Sequence, residues 1–515
     1  MSYLSHPLIV PDTVEERAYQ KKMAEESLRE DTLIIIPTGL GKTVIAMIVA
    51  ANILEKGKKV LILAPTKPLV EQHYESYSSF MRNVKIGMMT GQSPPSSRKN
   101  IIDSNDLIVS TPQVVDNDLC NEVYSLRDFG LIVFDEAHRA VGGYAYVNIA
   151  SYNHSALVLG MTASPGSDMN KILEVCRNLG ITRADMRTDD DPDVSPYIHN
   201  TFVRQETVDM PKDLLNVISV LNKLEDGYVR ELVNMGFMDP GWPASMKHLL
   251  TVGESLQRRL ARGEKTAMVF RGLVAQSAAV KLLHAVALAE TQGMTPLRNY
   301  MARIEEDAKT AKGGKASKDI VNQPAYKELW KIMKETRVEH PKISRLMSLV
   351  SQEIHGNPGS KVMVFSQYRE TCDILVGVLS RIPDVNVTKL IGQSKGGLKQ
   401  KEQISLLDDF RSGKYNVIVS TSVGEEGLDI ASTDLVIFYE PVPSEIRTIQ
   451  RRGRTGRKNE GEVVVMIAKG TRDEVYERTS QKKESMMSDN LGKLNHDLRL
   501  MTSERRERQT RLGEY

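Results

Sequence analysis

Three short stretches of the chain carry residue types suited to phosphate chemistry. In Pro37-Thr38-Gly39-Leu40-Gly41-Lys42-Thr43-Val44, two glycines and an ammonium directly follow the apolar run Leu33-Ile34-Ile35-Ile36. Glycines let backbone N–H groups turn toward a phosphate, Lys42 supplies charge for its β and γ oxygens, and the Thr43 hydroxyl suits Mg²⁺. A second stretch, Leu131-Ile132-Val133-Phe134-Asp135-Glu136-Ala137-His138, ends an apolar run in adjacent carboxylates. Asp135 is placed to hold the metal through its water shell, and Glu136 to orient an attacking water and take its proton. The third, Gln450-Arg451-Arg452-Gly453-Arg454-Thr455-Gly456-Arg457, spaces guanidinium groups around glycines that allow close backbone approach. Such arginines can extend forked donors to a triphosphate held elsewhere in the chain.

The elements that must carry these residues are legible as well. Between Thr32 and Ser164 the apolar runs TLIIIP, KKVLILAP, DLIVST, LIVFDEAH and ALVLGMTAS lack a polar alternation and are separated by helix-length segments. That pattern predicts a parallel sheet covered on both faces. A second series, SKVMVFSQ, VTKLIG, YNVIVSTS, LVIFYEPV and GEVVVMIA, predicts the same architecture again near the end. From about residue 211 to residue 350 the apolar residues instead recur at helical spacing, which predicts an all-helical insert. Within it Lys309, Lys312, Lys315 and Lys318 recur around Gly313-Gly314, as in a basic loop or hairpin tip.

Composition bounds the rest. A chain of 515 residues exceeds one core, and 41% hydrophobic with 26% charged residues is ordinary for a globular protein. No uninterrupted apolar run of membrane-spanning length and no signal-peptide pattern is apparent, so a soluble, intracellular protein with no membrane partner is expected. Cys120, Cys176 and Cys372 stand far apart and read as core residues rather than zinc ligands or a disulfide framework. The net charge of +2 does not point to nucleic acid, but its distribution does. Between Trp242 and Lys281, Lys247, Arg258, Arg259, Arg262, Lys265, Arg271 and Lys281 face only Glu254 and Glu264.

The ordered set of motifs resembles the superfamily 2 helicases over nearly the whole chain. Besides the three stretches above, APTKPLVEQH (residues 64–73), Thr90-Gly91-Gln92, STPQVV (110–115), Thr162-Ala163-Ser164, VFSQYRET (364–371) and STSVGEEGLDI (420–430) match in order. The resemblance implies two RecA-like motor domains that bind ATP and Mg²⁺ in the cleft between them. It makes Arg454 and Arg457 the arginine fingers, and Gly427 and Asp429 sensors of the nucleotide and its ribose. Arg17 and Gln20 resemble an adenine-reading motif, His138 and Gln450 couple the domains, and Thr162 and Ser164 link hydrolysis to movement. Thr66, Lys67, Gly91, Thr111, Gln113 and Thr421 would lie along the strand-binding face and contact phosphates, which read no sequence.

The long insert, the DEAH box and QRRGRTGR most resemble the Hef and Fanconi-anaemia-M branch, in which the insert is thumb-like and grips duplex near a junction. Arg258, Arg259, Arg262, Lys312 and Lys315 fit that role. The expected division is residues 1–205 for the first motor domain, 206–345 for the insert, 346–490 for the second motor domain and 491–515 for a basic tail. No nuclease motif follows, so nuclease activity is not expected. The implied function is an ATP-dependent translocase, monomeric or weakly oligomeric, acting on forked or branched DNA in repair, with a separate nuclease or sliding clamp as the kind of partner to expect. Duplex RNA stays open as the alternative, because Dicer and the innate-immune RNA sensors share the helical insert and phosphate contacts discriminate weakly.

Overall fold

The computed structural model describes residues 2–188, 191–197, 201–310, 314–392, 400–421, 433–442, 444 and 461–512. Seven parallel strands form the first sheet: β1 Thr32–Ile35, β2 Lys59–Leu63, β3 Ile86–Met89, β4 Leu107–Ser110, β5 Phe129–Asp135, β6 Leu157–Thr162 and β7 Arg183–Met186. They lie in the order β3-β4-β2-β5-β6-β1-β7. Helices cover both faces, and β1, β4 and nearly all of β2 and β5 are buried. This explains why they read as unbroken apolar runs. The short β3 and β7 escape that pattern, because each pairs along one edge only.

The second sheet has six parallel strands: β8 Thr201–Val208, β9 Val362–Phe365, β10 Val387–Leu390, β11 Val417–Ser420, β12 Leu435–Phe438 and β13 Gly461–Ala468. Their order is β10-β11-β9-β12-β13-β8. The two parallel-sheet domains and the helical insert between them are thus as the sequence predicts.

Two expected boundaries shift. Residues 201–205 were assigned to the first domain, but β8 pairs with β13 from Thr201↔Gly461 to Val208↔Ala468. As an edge strand it is solvated along one side, so TFVRQETV shows no continuous apolar run. The second departure concerns residues 491–515, expected as a basic tail. Residues 491–512 continue a helix, Arg472–Leu512, in which Leu491, Leu494 and Leu498 join the first domain's core. Their three- and four-residue spacing is an apolar stripe, and each buried leucine contributes about 1.5–3 kcal/mol. Asn495 completes the docking: its side-chain amide donates to the Ala184 carbonyl and accepts from the Ala184 N–H, both at 2.9 Å, on the free edge of β7.

The insert comprises Lys212–Asn234, Met246–Ala261, Ala267–Thr291, Met294–Lys309, Lys315–Asn322 and Pro324–Glu335. Its central helix, Ala267–Thr291, is long and apolar enough by composition to cross a membrane, although Arg271 and Lys281 interrupt it. In the fold its Ala275, Ala279, Leu282 and Val286 pack into the core of the bundle. The insert is fastened to the second domain. The Arg472 guanidinium donates to the Leu283 carbonyl at 2.9 Å and pairs with Glu290 at 3.2 Å, and Thr371 donates to Gln292 at 2.7 Å; within the second domain, Lys342 of the helix Pro341–Gly356 pairs with Asp473 where both side chains are fully buried. Of the cysteines, Cys176 and Cys372 are core residues as expected, but Cys120, closing the helix Pro112–Cys120, is exposed.

Candidate active site

All strands of the first sheet run parallel, so their carboxyl ends share one edge, and the order β5-β6-β1 places three motifs side by side there. Asp135 pairs in register with Met161, and Ile35 with Thr162. The phosphate loop, the paired carboxylates and Thr162 therefore sit on neighbouring strand ends, where open α/β sheets bind ligands.

Thr38, Gly39, Leu40 and Gly41 form the turn after β1, and Lys42, Thr43 and Val44 open the helix Lys42–Glu55. Gly39 and Gly41 take φ of 91° and 78°, a region that L side chains rarely enter. Gly41 is also confined from outside, since a Cβ there would lie 2.4 Å from Nε2 of Gln20. Gln20 donates to the Leu40 carbonyl at 3.0 Å and the Tyr19 hydroxyl donates to the same oxygen at 2.7 Å. The helix Ala18–Ser27 thereby fixes the loop from behind, and the Gln20 amide oxygen is left buried with no hydrogen-bond partner.

At the end of β5, Asp135 accepts from the Glu136 N–H at 3.0 Å and bonds His73 Nε2 at 2.8 Å. Burial opposes ionisation of Asp135, but the His73 hydrogen bond and the charges of His73 and Lys42 outweigh it and hold the carboxyl below its ordinary value. The Tyr146 hydroxyl pins the strand ends, donating to the Asp135 carbonyl at 2.7 Å with the Leu63 carbonyl at 3.1 Å. Glu136 itself sits at φ 49° and ψ 51°, a left-handed conformation unusual outside glycine and asparagine. Such strain, about 1–3 kcal/mol, persists only where surrounding structure enforces it. Its Oε2 is buried without a hydrogen bond. His138 Nδ1 lies 3.3 Å from that oxygen but bonds Thr162 Oγ1 at 3.1 Å instead. Thr162 in turn donates to the Ser164 carbonyl and accepts its N–H, and the Ser164 hydroxyl meets Met487 Sδ at 3.0 Å. Polar contacts thus run from His138 through Thr162 and Ser164 to the C-terminal helix.

Three more strand ends of this edge, those of β3, β4 and β2, carry Gly91, Thr111 and Thr66. Thr66 and Thr111 are the N-cap residues of the helices Lys67–Phe80 and Pro112–Cys120, yet neither side chain caps its helix. The Thr66 hydroxyl is buried and unbonded. Lys67 reaches Gln92 at 2.8 Å, which ties β3 to β2, and Gln113 is exposed. Two helix N-termini side by side are suited to phosphate groups. Thr421 directly follows β11 in the second sheet.

In the insert Arg258 pairs with Glu254 and Arg259 stacks over Phe237, while Arg262 ends its helix exposed and Lys315 lies 5.9 Å from the Phe270 ring. Two bases counted in the basic segment are committed internally: Arg271 to Glu231 and Asp319, and Lys281 to Asp307. Gly427, Asp429, Gln450, Arg454, Arg457 and Lys312 lie outside the described residues. His73, although it stands in APTKPLVEQH, and Tyr19 and Tyr146 join the site without a motif to announce them. No local spacing marks these residues, because their partners lie on other elements.

Family models match in three consecutive blocks: "Type III restriction enzyme, res subunit" over residues 13–167, the helical bundle of an ATP-dependent RNA helicase, a provisional description, over 213–340, and "Helicase conserved C-terminal domain" over 341–459. The crystal structure of the Pyrococcus furiosus Hef helicase domain is similar at 41% identity and a TM-score of 0.70, covering 92% of this chain and 100% of that one. A Methanocaldococcus jannaschii protein, provisionally named an ATP-dependent RNA helicase, is 37% identical over 94% of the chain. The Neurospora crassa ATP-dependent DNA helicase mph1 is 31% identical over 89% of it. The chain spans 62% and 41% of the lengths of these two relatives.

Proposed function

Because the chain belongs to the Hef and Fanconi-anaemia-M branch of the superfamily 2 helicases, and is therefore an ATP-dependent helicase, we propose that it moves along DNA and remodels forked or branched structures in repair. The observation that carries the hydrolytic half is Glu136: a strained carboxylate with an unbonded, buried oxygen beside the phosphate loop. An acceptor left open in a closed site is suited to a water molecule, which it would orient and deprotonate. Lys42 would neutralise the terminal phosphates. The donor set of the Thr43 hydroxyl and the ionised Asp135 fits a hard, oxygen-seeking cation, and Mg²⁺ held there would supply charge neutralisation at the β and γ oxygens. Arg454 and Arg457 would complete the site from the second domain, so hydrolysis would follow domain closure.

DNA is favoured as substrate because the mph1 relatives are named DNA helicases and match most of the chain. The M. jannaschii relative and the helical-bundle model carry RNA helicase names, and they support duplex RNA as the second reading. ATPase rate measured with single-stranded DNA, duplex DNA, forked DNA, four-way junctions and duplex RNA separates the two. The expected result is low turnover alone and strongest stimulation by forks or junctions. Stimulation by duplex RNA alone would replace the DNA reading, and equal rates with and without nucleic acid would end the translocase reading.

A further inference from the structure

Tyr197 closes the short turn Ser195–Tyr197 beyond the edge strand β7, in a stretch with no motif. Its ring is partly buried against the first core and packs on the Tyr19 ring with centroids 5.6 Å apart. The Arg17 guanidinium carbon lies 4.7 Å above the same ring. Glu15 fixes one edge of that guanidinium, taking Nε at 3.2 Å and Nη2 at 3.1 Å. A planar group held along one edge and backed on one face has its second face left for stacking, and the Arg17 side chain keeps 27% of its exposure. Beside it, Gln20 has its N–H engaged on Leu40 and its amide oxygen buried without a donor. That oxygen can accept from an exocyclic amine of adenine, whereas guanine presents a carbonyl oxygen at the corresponding ring position and would leave two acceptors opposed.

We propose that Tyr197 is a positioning residue for base selection: it backs the Arg17 guanidinium so that the opposite face stacks on adenine in register with the Gln20 amide. The aromatic pair Tyr197–Tyr19 then connects the base-reading face to the phosphate loop, since the Tyr19 hydroxyl bonds the Leu40 carbonyl. This rests on the reading of Arg17 and Gln20 as the adenine site.

The test is isothermal titration of the full chain with ATP, GTP and inorganic tripolyphosphate, on Tyr197→Ala, Tyr197→Leu, Tyr197→Trp and Gln20→Ala. Removing the ring should weaken ATP about tenfold, the scale of a partly desolvated cation–π contact. The preference for ATP over GTP should fall by a similar factor while tripolyphosphate affinity stays unchanged. Tyr197→Leu preserves apolar volume without a π face and should behave like Tyr197→Ala, whereas Tyr197→Trp should restore ATP binding. An unchanged ATP-to-GTP ratio in both ring-less variants, or a parallel loss of tripolyphosphate, overturns the proposal. If Gln20→Ala abolishes the preference while the Tyr197 variants keep it, Tyr197 alone is wrong; if Gln20→Ala also keeps it, the adenine site itself is misplaced.

Discussion

Two of the regions that bury charge in this molecule are built to opposite ends. At the edge of the first sheet, Asp135 and Glu136 stand side by side, with Glu136 Oε2, His73 Nδ1 and the Gln20 amide oxygen all lacking hydrogen-bond partners. In the second domain Lys342 faces Asp473, and at the contact of that domain with the insert Arg472 faces Glu290. Unmet hydrogen-bonding capacity in a closed site is retained only where something else supplies it. Paired charge, by contrast, locks elements in one arrangement, because separating the partners strands an ion in low dielectric. The first region leaves polar atoms open, and the second holds helices in place on the second domain.

Substitutions should respect that division. Glu136→Gln leaves shape and size intact, so ATP affinity and melting temperature should hold while single-turnover hydrolysis falls about 10²–10⁴-fold. Retained hydrolysis would remove Glu136 from the role of base. Lys342→Met should do the reverse. Stranding Asp473 is expected to lower the stability of the insert and second domain by about 3–5 kcal/mol, read as a shifted denaturant midpoint, with nucleotide affinity of the folded fraction unaffected. A wild-type midpoint would mean that the pair contributes nothing net.

His73→Ala tests whether the site depends on support from the helix Lys67–Phe80. Freeing Asp135 should reduce turnover about ten- to hundredfold, the range seen when a partner of a metal-binding carboxylate is removed. The magnesium concentration for half-maximal rate should rise in step. The smallest effect is expected at Glu225, whose carboxyl burial pushes up to about 7, with Arg472 opposing and Asp226 and Glu290 reinforcing the rise. An acid with a raised folded pKa is held protonated by the fold, so it destabilises increasingly as pH rises from about 4.5 to 7. Glu225→Gln should therefore raise the melting temperature at pH 8 more than at pH 5; equal shifts would show that Glu225 titrates normally.

What the sequence disclosed follows from how local each signal is. The phosphate loop and DEAH box each complete their pattern within eight residues, because one turn supplies all the backbone geometry involved. The central strands announce themselves because burial on both faces leaves no room for polar alternation. His73 and Tyr197 became visible only when Asp135 and Arg17, 62 and 180 positions away, were set beside them. Edge strand β8 was missed because solvent reaches one of its sides, and the leucine stripe of the C-terminal helix was obscured by the arginines that follow it. The second domain's half of the ATP site, read from QRRGRTGR, lies outside the described residues.

The path of β8 bears on how the polypeptide assembles. Among the described strands Thr201–Val208 has its one ladder partner in Gly461–Ala468, about 260 residues further on, and the whole insert lies between them. During synthesis from the N-terminus the insert's helices emerge and can collapse on local contacts, while the strand that anchors them waits for a neighbour still to be translated. Long-range pairing of this kind is slow to form. The second lobe therefore closes late, and its unpaired early strand is the segment most in need of shielding on the ribosome.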